Sequence, residues 1–200
     1  RRKRIEDNLR AIDECVALGT DTLVFVCGGL HSKDIAEARQ MVFDGLAAIV
    51  PYAQERGVKL GIEPLHPMYV ADRNVIVTLG QANDFALKLN QDFPQYQKPV
   101  GVVIDVFHVW WDPNVYHEIK RAQGHIFGFH ICDWITPLPD VLKGRGIMGD
   151  GWIEIRRFRE AVEEAGYNGP IECEIFNQAL WDTPGDEVIE LMTKRYLEVV

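Results

Sequence analysis

Four side chains of metal-binding type stand where short apolar runs give out. Glu63 ends Leu60-Gly-Ile-Glu, Asp105 ends Val102-Val-Ile-Asp, His130 closes Phe127-Gly-Phe-His, and Glu174 lies in Ile171-Glu-Cys-Glu-Ile-Phe. One carboxylate at such a place ordinarily caps the next helix or faces water. Four successive runs repeating the feature need another reason. Three carboxylates gathered in a low-dielectric mouth repel one another, and one divalent cation with the imidazole as fourth ligand removes that conflict. The set is hard and oxygen-rich, which favours Mn²⁺ or Mg²⁺, admits Co²⁺ or Zn²⁺, and leaves coordination positions for a substrate. A thiolate-rich structural zinc site is excluded by the ligand types.

The runs themselves read as strands: Thr22–Cys27, Leu60–Pro64, Val100–Val106, Ile126–Cys132 and Pro170–Phe176. Their nearly continuous apolar character suits strands buried on both faces of a parallel sheet. Helical patterns separate them. Arg4–Leu18 ends at Gly19, and a long helix capped by Ser32 runs to about Arg56 with Pro51 as a potential kink. Leu79–Leu89 comes next, Asp112-Pro113 reads as an N-cap with proline at the first helical position, then come Trp152–Ala165 and Pro184–Val199. Strand starts lie 38, 40, 26 and 44 residues apart, the spacing of βα units in one α/β domain over residues 1–200. Charged residues at the carboxyl ends of such strands are where α/β sheets and barrels place their sites. Glu172 and Glu174, two apart, share one sheet face, so alternation leaves both open as the last ligand.

Composition narrows the partners. The chain of 200 residues carries 21 basic and 30 acidic side chains, a net charge of −9, which disfavours a phosphate backbone as a partner. The basic run Arg1-Arg2-Lys3-Arg4 reads as a solvated helix face, with no apolar signal segment behind it. No apolar run reaches the ~20 residues of a membrane helix. Cys15, Cys27, Cys132 and Cys173 are far apart and form no Cys-x-x-Cys pair. They are expected to be reduced, in a cytoplasmic protein. His31, His117 and His125 read as surface or capping residues, and Trp110 and Trp111 as packing or a pocket wall.

The segments GIEPLHP, GVVIDVFHVWW, FGFHICDW with GRGIMGDG, and GYNGPIECEIFN resemble the sugar phosphate isomerase/epimerase superfamily, the xylose isomerase-like TIM barrels. The resemblance covers essentially the whole chain. It implies that Glu63, Asp105, His130 and Glu174 hold one metal, and it selects Glu174, before Ile-Phe, over Glu172. It also assigns His108, in Asp105-Val-Phe-His, and Arg145, in the glycine-flanked loop, to substrate contact. His66 stands where many relatives carry asparagine, so substrate contacts there are expected to differ.

The activity implied is isomerisation or epimerisation of a sugar or polyol-derived ketose, with Glu63 and Glu174 moving the proton through an enediolate. A dehydratase of a keto-inositol-type substrate keeps the same metal and proton abstraction. An AP endonuclease-like DNA-repair reading lacks its further ligands at Lys143-Gly144-Arg145, and a non-catalytic sugar-binding relative would not need all four ligands. No phosphate grip stands out beyond Cys27-Gly28-Gly29, so an unphosphorylated small-molecule substrate is expected, with no nucleic-acid or membrane partner; a homo-oligomer is compatible with the sequence. A (β/α)8 TIM barrel takes ~250 residues. With five strands and a start in mid-helix without Met, the chain is expected to hold only about the last five βα units, as the carboxyl-terminal portion of a longer protein.

Overall fold

The computed structural model describes residues 2–200, so the first residue of the basic run lies outside the described residues. Strand β1 (Thr22–Phe25) follows helix α1 (Arg2–Leu18), and β2 (Lys59–Ile62) follows α2 (Ile35–Glu55). Then come α3 (Leu79–Asp92), β3 (Val100–Asp105), α4 (Val106–Val109), α5 (Val115–Arg121) and β4 (Ile126–Ile131). The chain ends through β5 (Asp133–Trp134), β6 (Arg145–Gly146), α6 (Ile155–Glu164), β7 (Ile171–Cys173), α7 (Gln178–Trp181) and α8 (Gly185–Val199). β1, β2, β3, β4 and β7 hydrogen-bond in that order, every pair parallel. Five parallel strands backed by helices make part of a (β/α)8 barrel; β1, β3, β4 and β7 lie within the segments expected from the sequence, and β2 begins one residue before its segment, at Lys59.

Local chemistry explains where the elements stop. α2 ends at Gly57, whose φ of +73° is left-handed, and Val58 N donates back to Ala53 O at 2.9 Å. Pro51 sits inside α2 without ending it. The cap of α2 is Asp34, not Ser32: the Asp34 carboxylate accepts from Glu37 N at 2.9 Å, and Ser32 accepts from Asp34 N one turn earlier. Asp112 likewise forms a turn, accepting from Asn114 N, and α5 begins only at Val115, past Pro113. Trp152 does not open α6; it is exposed, and the helix starts at Ile155. β1 is two residues shorter than expected because the chain leaves the ladder before Gly28, whose φ is +86°.

β3 is the most enclosed strand, buried along its whole length. Gly101 within it is required by packing: a Cβ there would lie 2.3 Å from His125 O and 2.5 Å from the Phe127 ring. His125 itself is buried at the start of β4, contrary to its reading as a surface residue, and burial lowers the pKa of its imidazole. Register brings the strand ends level, pairing Asp105 with His130 and His130 with Glu172. The four cysteines are free, two buried and two half-buried. Among the described residues no helix is long and apolar enough to cross a membrane.

Candidate metal centre

Each polar strand end is held by its own element. Glu63 N donates to Phe25 O at 3.0 Å, and Asn74 donates through Nδ2 to Glu63 O at 2.8 Å. Asp105 divides its carboxylate: Oδ1 caps α4 by accepting from Phe107 N at 2.9 Å, while Oδ2 faces the centre. Glu174 N still reaches Ile131 O at 3.1 Å, so its side chain is carried by the last rung of the β4–β7 ladder. One ligand atom from each of Glu63, Asp105, His130 and Glu174 can be chosen so that all four lie within 4.8 Å of one another. Glu63, Asp105 and His130 are buried, and Glu174 keeps 38% of its side chain exposed.

The polar atoms facing one another include two left unpartnered. Glu63 Oε1 and His130 Nδ1 are buried without a hydrogen bond, 3.3 Å apart. Buried polar atoms are nearly always paired, so two orphans pointing at each other among carboxylates fit a cation between them. Glu174 Oε2 lies 3.7 Å from the same His130 Nδ1. Burial disfavours the His130 imidazolium, but Glu174 and Glu63 outweigh it and push its pKa up to about 10. Burial also pushes Asp105 up to about 7 against the pull of Arg145, with Glu63 and Glu174 adding to the rise. Glu174 goes the other way: burial is overcome by His130 and Arg145, which bring it down to about 2. Asp105, Glu174 and His130 thus hold protons and charges in compensation, which is the state a divalent ion would displace.

Glu172 lies apart from this set. Its side chain is 64% exposed, and its Oε2 is 4.0 Å from His130 Nε2, on the far side of the ring from Glu63 and Glu174. His108 is buried beside the centre. Its Nδ1 accepts from His66 N at 3.1 Å, so the neutral ring carries its proton on Nε2, 3.6 Å from Asp105 Oδ2. Arg145 Nη2 is 3.1 Å from the same Nε2, and in this tautomer the two face each other as donors. Burial holds the His108 pKa well below the usual imidazole value, with the Arg145 charge adding to the effect. His66 is half-buried, its Nδ1 accepting from Met68 N, and its ring packs 5.0 Å from Trp134 and 5.7 Å from Trp111. The backbone of His66 therefore fixes His108, while its ring joins an aromatic wall.

Arg145 is enclosed. Its Nη1 donates to Asp105 Oδ2 at 2.7 Å, to Glu174 Oε2 at 3.0 Å and to Glu174 O at 3.0 Å. The guanidinium lies over two aromatic rings, with the Phe107 and Phe176 centroids 4.7 and 5.0 Å from Cζ. Only 6% of the residue is exposed. The side chain expected to reach a substrate thus contacts two of the expected metal ligands.

Two positioning residues are not foreshadowed by the strand-end pattern. Asn74 holds Glu63 from a loop eleven residues on, and nothing in its local pattern announces this. Asp133 is fully buried and accepts four backbone N–H groups, from Trp134 and Ile153 on Oδ1 and from Gly149 and Gly151 on Oδ2. It ties the Gly149–Ile153 stretch to β5, which pairs antiparallel with β6 and so carries Arg145. An acid three residues after His130 is the only trace of it in the sequence. A cavity of about 310 Å³ beside the end of β1, lined by Phe25, Cys27, His31 and Met41 among others, contains none of the four clustered residues.

A family model described as xylose isomerase-like TIM barrel matches residues 1–195. A 3-dehydroshikimate dehydratase of Pseudomonas putida is 29% identical over 195 residues, covering 92% of this chain and 28% of that protein. Other curated relatives include an inosose isomerase of Bacillus subtilis, 26% identical over 94% of this chain and 66% of its own length. An L-ribulose-5-phosphate 3-epimerase of Shigella flexneri is 27% identical over 77% of this chain and 49% of its own. The chain thus spans only part of the length of each of these curated relatives. Among solved structures, protein SMc04130 of Sinorhizobium meliloti 1021 superimposes with a TM-score of 0.94 at 48% identity, over 100% of this chain and 72% of that one. The IOLI protein with a binding zinc atom superimposes at 0.79 with 25% identity, over 98% of this chain and 68% of that one.

Proposed function

This chain belongs to the xylose isomerase-like TIM barrel family, and from that premise we propose that its centre binds one divalent cation and moves a proton next to the carbonyl of a small sugar or polyol-derived ketone. The observation that carries the reading is the pair of unpartnered buried atoms, Glu63 Oε1 and His130 Nδ1, enclosed with Asp105 and Glu174. Glu63, Asp105, His130 and Glu174 would hold the cation, which when bound supplies carbonyl polarisation and offsets the negative charge that develops on oxygen. The donor set favours Mn²⁺ or Mg²⁺; the zinc of the IOLI structure shows that a relative's fold accepts a borderline ion as well.

The chain's own residues divide the remaining work. Glu63 and Glu174 approach His130 Nδ1 with separate carboxylates, so one can take a proton from a substrate carbon while the other returns it. Glu174, with 38% of its side chain exposed, is the carboxylate of the pair that a substrate can reach; it is ionised, and the lowered pKa makes it a weak base until enclosure by a bound substrate raises it. His108, its ring oriented by the His66 amide, sits beside Asp105 where it would border a substrate hydroxyl. Trp111, Trp134 and the His66 ring give an apolar face against which a carbohydrate ring would lie. A dehydratase reading shares the first step, with a β-hydroxyl leaving as water after protonation; the named activity of the Pseudomonas putida relative favours keeping it.

The test distinguishes the reactions whichever product forms. The chain is loaded with Mn²⁺ and incubated in D₂O with a panel of ketoses and a keto-inositol, and carbon-bound deuterium is followed by NMR. Exchange with no loss of water supports isomerisation or epimerisation, and loss of water supports dehydration. Glu174→Gln is expected to abolish exchange and weaken Mn²⁺ binding by about tenfold or more. Undiminished exchange in that variant would sink the assignment.

A further inference from the structure

Two of the residues proposed to hold a cation already hold one: the guanidinium of Arg145. Its Nη1 is within 2.7 Å of Asp105 Oδ2 and 3.0 Å of Glu174 Oε2. Arginine near a metal site is commonly a mobile hand for substrate, but this one is built as a fixed charge. β6 pairs with β5, Arg145 N donates to Phe176 O at 3.2 Å, and Asn177 donates through Nδ2 to Arg145 O at 2.9 Å. The guanidinium carbon lies over both the Phe107 and the Phe176 rings. Ion pairs to two carboxylates, contact with two rings and a backbone hydrogen-bonded at both polar groups leave the side chain little freedom to swing away.

From this we infer that Arg145 is an antagonist of the metal: it shares Asp105 and Glu174 with the divalent ion and sets the affinity of the centre below what the four ligands alone would give. The antagonism is electrostatic. Glu63, Asp105 and Glu174 bring three ionisable carboxylates into one buried space. A permanent arginine charge offsets part of their repulsion, so the fold does not depend on the metal to hold them together. The same charge repels an incoming dication across a low-dielectric gap, where screening by water and salt is weak. A moderate affinity follows, which keeps the ion exchangeable. The inference rests on the metal reading proposed above, and its test separates the two.

Mn²⁺ binding is measured at pH 8 by titration calorimetry, with free Mn²⁺ followed in parallel by electron paramagnetic resonance. The chain is compared with Arg145→Met, Arg145→Gln and Arg145→Lys, all checked for secondary structure by circular dichroism. Methionine keeps the unbranched apolar stem and removes the charge, and glutamine keeps an amide donor without the charge, which guards against a variant that fails to fold. The neutral variants are expected to bind Mn²⁺ about tenfold or more tightly than the parent, and the lysine variant within about threefold of it. Met and Gln variants that bind no tighter than the parent overturn the inference while the metal reading stands. A lysine variant that tightens as much as the neutral ones shows that charge is not the cause, and overturns it as well. Absence of binding in the parent and in every variant removes the metal reading, and the inference with it.

Discussion

Asp133 holds no proposed metal and still has a large expected effect. Its carboxylate is fully buried and satisfies four backbone N–H donors at 2.8 to 3.0 Å, gathering Trp134, Gly149, Gly151 and Ile153 around one charge. Gly151 is part of the same fit, since a Cβ there would meet Trp134 O at 2.2 Å and Asp133 Oδ1 at 2.5 Å. Asp133→Asn preserves shape, but one oxygen becomes an NH₂ that faces two N–H donors. Hydrogen bonds to a charged acceptor contribute about 1.5–3 kcal/mol each, so losing two and weakening two should cost about 3–5 kcal/mol. That is a large part of a stability that is typically about 5–15 kcal/mol. With a urea m-value of about 2 kcal/mol/M, the unfolding midpoint falls by about 2 M. Limited trypsinolysis with mass spectrometry gives a second reading, because loosening β5–β6 exposes the bond after Arg145, now on a residue that is 6% exposed. Asp140→Asn is the control: that acid also accepts two backbone amides, from Leu142 and Lys143, but on the surface. A midpoint shift below about 0.5 M for Asp133→Asn, or one matched by Asp140→Asn, would refute the reasoning.

The remaining predictions concern protonation and packing. Burial lowers the His108 pKa, so its contribution to stability is present above the unfolded value of about 6.5 and is lost as pH falls below it. His130, with its pKa raised to about 10, slopes oppositely and contributes fully below about 6.5. Urea midpoints of the parent minus those of His108→Gln, taken from pH 7 to 5 with chelator present, should therefore shrink with falling pH; parallel curves would contradict this. Gly101→Ala forces a Cβ into His125 O and the Phe127 ring and should destabilise by about 3 kcal/mol or more, whereas Gly45→Ala in α2 meets nothing and should stabilise by about 0.5–1 kcal/mol. Thermal melts of both variants check the pair.

The legible part of this protein was local. Apolar runs of strand length, each ending in a polar residue, needed only the period of a buried parallel strand and the cost of an unpaired charge; they lead to Glu63, Asp105, His130 and the pair Glu172 and Glu174, of which the family resemblance selects Glu174. The helix caps were misplaced by a few residues, at Ser32 and Asp112, because aspartate, serine and proline compete locally for the same turn. What the tertiary structure decided was non-local. Glu172 is in β7 and Glu174 just beyond it; the clustered carboxylate is that of Glu174, which the end of the β4–β7 ladder delivers to within 3.7 Å of His130 Nδ1, while Glu172 lies 4.0 Å from the opposite ring nitrogen. Arg145 has the same local sequence whether its guanidinium meets solvent, a substrate or two carboxylates. Its contacts with Phe107 and Phe176, 38 residues before it and 31 after, exist only once β3 and β7 flank β4. Periodicity along a strand specifies which residues reach the strand ends; which charges meet there depends on pairings between distant segments, and those are fixed only when the sheet assembles.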